Sequence, residues 1–340
     1  MVKSMFVTTP DTRRLQPPIG VLRSLATGFD RVAGAPGLIL PAFLLDLFLW
    51  LGPRLRVTGL VDQLVASLAV PPGSEQAVVQ QVAQFRGALV ELGARFNLLS
   101  ALSSLPVGVP SLMAGRMPSD TPLGSMPGTD LPNGLVILAV WIVLSLLGIG
   151  IGSLYHVWVA RRVAPQGELT TALVAWGRMA LLTVGVYAAA VIVTGVCMLV
   201  ATAMALILPL LGVVVGFLGF SLLFWVLVYL IFTPHGIIRN RLGVIRSVVE
   251  SVQIVRWNLL GTVGFLGAAF AVSYATNWVW SLPEESSWFS LLAVVGHAFV
   301  SATLLAGSYA FYQGRRDWML QIQRVVTASP SSGTPPQMSA

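Results

Sequence analysis

The chain has 340 residues, 56% of them hydrophobic and only 10% charged, with a net charge of +7. Soluble domains carry about a quarter charged residues, so the composition excludes a water-soluble fold for most of the chain and places it against lipid or other buried helices. The basic excess reads as membrane topology and not as a nucleic-acid surface, because the arginines gather at the ends of apolar stretches.

Lys3 is the only lysine and the other 19 cations are arginines, a bias that points to a GC-rich, prokaryotic genome. No cleavable signal peptide is expected, since the first apolar run starts near Gly37 and no small-residue cleavage site follows it. Before that run, Ile19–Ala33 reads as an amphipathic helix. Leu22, Leu25, Phe29 and Val32 form its apolar stripe, with Pro17 and Pro18 before it and Pro36 after it. The first candidate span, Gly37–Leu51, is short and carries Asp46. Local thinning of the bilayer would let it cross, and a re-entrant segment is the alternative.

Between the first two spans lies an insertion, Gly52–Asn133. Arg56–Ala69 reads as a short helix ended by Pro71 and Pro72. Ser74–Leu102 reads as one long helix with Ser74 as its N-cap. Val78, Val82, Phe85, Leu89, Leu92 and Phe96 keep a 4-3-4-3-4 spacing, a complete apolar stripe. Packing inside the insertion or on the bundle is the plainer account of it, and a docking face the sharper one. Pro106, Pro110, Pro118, Pro122, Pro127 and Pro132 then forbid regular structure. Leu105, Val107, Val109, Leu112, Met113, Met117, Leu123 and Met126 argue for a loop that packs on something, such as the outer mouth of the bundle.

Five further spans follow, near Gly134–Ala160, Met179–Met204, Leu208–Phe232, Leu260–Leu282 and Trp288–Tyr312. The middle two share one uncharged run that must fold back, and Pro209 and Gly212 mark the turn. Gly148 and Gly152 are four apart, as are Gly212 and Gly216, and both pairs suit close helix packing. With the N-terminus inside, fifteen cations fall inside and five (Arg54, Arg56, Arg86, Arg95 and Arg116) outside. The positive-inside rule therefore puts both termini in the cytoplasm of a plasma-membrane protein. Tryptophans support the count: Trp50, Trp278, Trp280 and Trp288 fall at the expected outer interface and Trp158, Trp176, Trp257 and Trp318 at or near the inner one, with Trp141 and Trp225 as exceptions expected to pack deeper.

A second amphipathic helix is expected over Ile237–Trp257. Ile238, Leu242, Ile245, Val249 and Val252 form its stripe, Arg239, Arg246 and Glu250 lie off it, and Arg246 and Glu250 are spaced to pair. IGVLRS at 19–24 aligns with LGVIRS at 242–247 without a gap, and Gly167–Trp176 gives a weaker third copy. The chain then reads as three units of interfacial helix, span out and span back. The alternative is that any basic interfacial helix takes this pattern. The expected organisation is 1–51 for the first helix and span, 52–133 for the insertion, 134–327 for a five-span domain and 328–340 for a disordered tail.

The residues carry no catalytic signature: there is no HExxH, GxSxG, phosphate-binding loop or CxxC. Cys197 is alone, and His156, His235 and His297 are far apart. No metal site, cofactor or catalytic residue is expected. Asp46 is the one acid inside a span, and a buried carboxylate there is a functional candidate by default. His297 falls at a similar depth, so the sharpest site expectation is a buried Asp46–His297 pair. It would be refuted by a separation beyond about 8 Å, too far for a water bridge. The plainer expectation is a carboxylate that hydrogen-bonds backbone or hydroxyl groups, or reaches outward.

GVIRSVVESVQIVRWNLLGTVGFL at 243–266 resembles the membrane domain attached to some glycerophosphodiester phosphodiesterases and related multi-pass prokaryotic proteins. In that group an amphipathic helix ends in an Arg-x-Asn-like element, here Arg256, Trp257 and Asn258, and leads into a span. The resemblance implies a multi-pass membrane module. It covers a minor part of the chain, the insertion departs from it, and no catalytic residue carries over.

Together these features predict an all-α, polytopic membrane helix bundle of six spans, with three cytoplasmic interfacial helices and one helical insertion. The expected role is a non-enzymatic module or assembly partner, in contact with the bilayer and a membrane-protein partner and with no nucleic acid. A transporter of an apolar or lipid-like solute is the alternative. An intramembrane enzyme would need Asp46 and a histidine together.

Overall fold

The computed structural model describes residues 17–328 apart from 69, 71, 72, 74, 105 and 166–168. The expected tail therefore lies outside the described residues from 329 onward. Gly20 caps α1 (Val21–Ala33) in an extended conformation. A 3-10 turn, Pro36–Ile39, leads into α2 (Leu40–Leu51), and the chain bends by 102° between α1 and Pro36–Leu51. The insertion holds β1 (Arg54–Arg56), α3 (Thr58–Ser67), α4 (Gln76–Arg95), a 3-10 segment Leu98–Ser103, α5 (Leu112–Arg116) and β2 (Gly128–Asp130). Then come α6 (Gly134–Val163), α7 (Ala172–Ile207), α8 (Pro209–Leu230), α9 (Thr233–Arg239), α10 (Val244–Trp257), α11 (Leu259–Trp280) and α12 (Ser290–Ala328).

This is an all-α polytopic membrane helix bundle. Five of its helical segments are long and apolar enough to cross a bilayer, and Val21–Leu51, bent by 102°, adds a sixth only when its two halves are counted as one broken span. A helix rises about 1.5 Å per residue, so Pro36–Leu51 reaches only about 24 Å, short of a typical hydrocarbon core. Leu208 ends α7, and Pro209 at the first turn of α8 supplies the fold-back.

The helix α12 organises the bundle. Ala298, Ala302 and Ala306 are fully buried along it, and small residues there let neighbours approach closely. Gly28 of α1 meets the Thr303 carbonyl and the Gly307 backbone so closely that no Cβ could fit. The α7–α8 hairpin is different. Ala175, Met179, Leu182 and Thr183 are buried near the start of α7 and no residue after them is, and Val228 is the one buried residue of α8. Its two helices pack chiefly on each other.

The expected sequence repeat has a structural counterpart in α1 and α10. Gly243 caps α10 with φ −66° and ψ 161°, against −67° and 165° at Gly20. Ser24, Gly28 and Val32 face inward on α1, and Ser247, Ser251 and Val255, each 223 positions on, face inward on α10. Leu22 and Ile245, an equivalent pair, are 79% and 81% exposed. The third amphipathic helix is corrected. Ala172 opens the 36-residue α7 directly, and Thr170 just before it is held to the chain at Ile237 and Ile238 by its hydroxyl and N–H. The second starts at Val244 and not at Ile237, because Thr233 to Ile238 are buried in the separate α9. Arg239 therefore ends α9 and lies outside the amphipathic helix.

In the insertion, β1 and β2 pair in parallel, Arg54 opposite Gly128 and Arg56 opposite Asp130. The long helix stops at Arg95, and its stripe divides: Val78, Phe85 and Leu92 are exposed while Val82, Leu89 and Phe96 are half-buried. Gly93, its one buried residue, takes Val61 of α3. Trp50, expected at the outer interface, is fully buried against the loop between α11 and α12. Its indole donates to the Glu285 carbonyl (3.0 Å) and meets Trp288 edge to face.

Candidate functional site

Asp46 lies on the second turn of α2 and has no solvent exposure. Its Oδ1 accepts from the Ser111 hydroxyl at 2.5 Å and from the Met113 amide at 2.9 Å. Ser111 is the N-cap of α5, and its oxygen accepts from the Ala114 amide at 3.0 Å. One hydroxyl thus caps the helix and donates to the carboxylate. The structure brings His297 to the same place, with Nδ1 3.3 Å from Asp46 Oδ2. These two atoms are close enough to interact as charges when the imidazole is protonated, yet they are not aligned as a hydrogen bond. On its other side, His297 Nε2 meets the Ser301 hydroxyl at 3.2 Å. Both sequence expectations for Asp46 are therefore present in one site: hydroxyl and backbone donors on one oxygen, the histidine on the other.

The loop before α5 runs against the bundle. Val107, Val109 and Met113 are buried in it. Gly148 and Gly152 of α6 serve the insertion, its 3-10 segment and this loop, and not another span. A Cβ on Gly148 would strike the Leu102 carbonyl, and one on Gly152 the Val107 carbonyl. Gly212 does pack helix to helix, against Ala201 and Ala205 of α7. Gly216 has nothing within 4 Å of a Cβ and makes no close approach.

Above this site the insertion is tied to the loop between α11 and α12. Arg95 donates to Glu285 at 2.8 Å and to the Met117 carbonyl at 3.2 Å. Arg116 donates to the carbonyls of Trp280 and Pro283, at 3.2 and 2.8 Å. Burial lowers the Arg116 pKa and Glu285 raises it in part, but a guanidinium remains charged at any ordinary pH. Glu285 also accepts from the Ser119 amide. Arginines counted only as topology markers in the sequence are thus specific clasps.

A second polar cluster lies deeper along α12, and the sequence reading missed it. His156 Nδ1 is 3.1 Å from the Tyr309 hydroxyl, and His235 Nε2 is 2.8 Å from the Ser308 hydroxyl. The His235 and Tyr309 rings lie 4.3 Å apart. Tyr312 donates to Glu250, Asn240 donates to Tyr312, and Arg316 Nε reaches both Glu250 oxygens at 3.1 Å. Glu250 therefore pairs with Arg316 of α12 and not with Arg246, its expected partner. A signal existed: His297, Ser301, Ser308, Tyr312 and Arg316 fall at +4, +11, +15 and +19, within about 100° of arc on one helix face. Among the described residues no three His, Cys, Asp or Glu side chains converge as metal ligands. Compared with protein-family models, curated proteins and solved structures, the chain matches none.

Proposed function

We propose that the chain is a non-enzymatic membrane module whose insertion is latched to the bundle by Asp46. The observation that carries this reading is the state of the carboxylate. It has no solvent exposure, and its Oδ1 is taken up by two donors of the insertion itself. A buried carboxylate is costly unless hydrogen-bonded, and here both hydrogen bonds to Oδ1 come from groups of the insertion. A transport or catalytic carboxylate needs access to solute or water, which Ser111 and Met113 block. In this reading the insertion faces the outside of a plasma membrane, both termini face the cytoplasm, and the exposed α7–α8 hairpin meets lipid or a membrane-protein partner. The likeness of 243–266 to the phosphodiesterase-linked membrane domain belongs to the same proposal, and Asn258 breaks the chain between α10 and α11 there.

The test compares Asp46→Asn with Asp46→Ala in the full chain reconstituted into liposomes, reading lipid flip and solute leak alongside protease cleavage of the insertion. The module reading expects no flux above empty liposomes in any form, and faster cleavage of the insertion in Asp46→Ala. Flux that Asp46→Asn abolishes while the insertion stays protected would overturn it in favour of transport.

A further inference from the structure

At the end of the bundle opposite the insertion, the bend after α1 and the end of α6 enclose a cleft of about 600 Å³. Its walls carry Arg31, Arg161 and Arg162, with Asp30 as the one acid, so the four charged side chains sum to +2. Its other lining comes from Gly34, Ala35, Pro165 and the Trp158 ring, which lies beside Gly37. Arg31 closes α1, and Arg161 and Arg162 close α6, positions where a cation also suits the helix carbonyls. That accounts for each arginine singly. It does not account for three of them around one cavity, none with a hydrogen bond or ion pair among the described residues.

Two apolar tracks lead away from the cleft. On α6, Arg161, Trp158, Leu154, Ile151 and Leu147 follow a 3-4-3-4 spacing and share one face, and the three aliphatic residues are exposed. On α2, Leu40, Leu44 and Phe48 form an exposed stripe that begins one turn beyond the bend. We propose that this cleft binds the phosphate of an anionic phospholipid, with its acyl chains along these tracks. Arginine forks match phosphate oxygens, and indole suits the headgroup layer. Asp30 disfavours excess negative charge and can accept a headgroup hydroxyl, which suits a glycerol headgroup carrying one phosphate. Basic pockets between membrane helices take such headgroups. A free phosphate would use the arginines but has no need of the two apolar tracks.

The test is native mass spectrometry of the full chain, delipidated and reloaded from vesicles of phosphatidylcholine mixed with phosphatidylglycerol. The wild type is expected to retain phosphatidylglycerol over phosphatidylcholine. The triple variant Arg31→Gln/Arg161→Gln/Arg162→Gln should lose affinity on the order of a hundredfold, from about fivefold per surface cation. A control with the same charge change, Arg23→Gln/Arg246→Gln/Arg256→Gln, alters exposed arginines outside the cleft and should stay close to wild type. An equal loss in the control, or none in the triple variant, would overturn the proposal. Full displacement by inorganic phosphate would also overturn it, assigning the site to free phosphate. If the triple variant melts early, Arg161→Gln alone should still show the roughly fivefold loss, and wild-type retention there would count against the site.

Discussion

Replacing Asp46 by alanine removes one side chain from α2 and leaves three groups without their partner. The Ser111 hydroxyl and the Met113 amide lose the oxygen they donate to, at 2.5 and 2.9 Å, and His297 loses the carboxylate 3.3 Å away. Breaking a buried pair by removing one member costs about 3–5 kcal/mol, and Asp46 is fully buried. Asparagine has nearly the same shape and keeps an acceptor for Ser111 and Met113. It gives up only the charge, so its cost is about 1–2 kcal/mol, the margin between a charged and a neutral hydrogen-bond acceptor. Denaturation in sodium dodecyl sulfate, followed by circular dichroism, should therefore rank wild type above Asp46→Asn and Asp46→Ala lowest. Proteolysis of the insertion should follow the same order. Equal stability of the two variants would show that the hydrogen bonds to the insertion contribute nothing, and the latch would fall with them.

Gly152→Ala drives a methyl group into the Val107 carbonyl and should cost about 1–3 kcal/mol as overpacking, whereas Gly216→Ala meets open space and should be neutral or stabilising in the same assay. Gly28→Ala collides with the Thr303 carbonyl and the Gly307 backbone; a cysteine cross-link between α1 and α12 should form more slowly in this variant, and an unchanged rate would deny their close packing. Glu250→Gln removes the charge that Arg316 and Tyr312 share and should cost about 1–3 kcal/mol, with Arg246→Gln near neutral; the reverse order would restore the pairing expected within α10.

The helices were largely legible in the sequence because membrane spans are long, apolar and bounded by cations, signals that survive without tertiary context. The α7–α8 fold-back could be read from Pro209 for the same local reason. The errors came where tertiary contact decides. Ile238 fits an amphipathic stripe by spacing, yet Thr170 and the bundle draw it and Ile237 into a buried turn of helix. Gly167–Trp176 carried the letters of a third amphipathic helix, but its last residues extend α7. Gly148 and Gly152 signalled a close approach correctly in kind, while spacing alone could not show that the insertion, and not another span, fills the space.

The site divides in the same way. Asp46 stood out because an acid within a span is costly wherever it points, and His297 followed from matching depths. Ser111 and Met113 did not, since a proline-rich loop has no periodicity from which its depth could be read. The His156–Tyr309–His235 cluster joins α6, α9 and α12. Only the polar face of α12, from His297 to Arg316, hinted at it, and that hint needed a helical projection of a segment first read simply as a span.

Amide hydrogen exchange at Met113 tests the latch most directly. The amide donates to a carboxylate with no solvent exposure, so it should exchange as slowly as the amides of α12 in the wild type and much faster in Asp46→Ala. Free exchange of Met113 in the wild type would contradict the account, because the insertion would then not be held by Asp46.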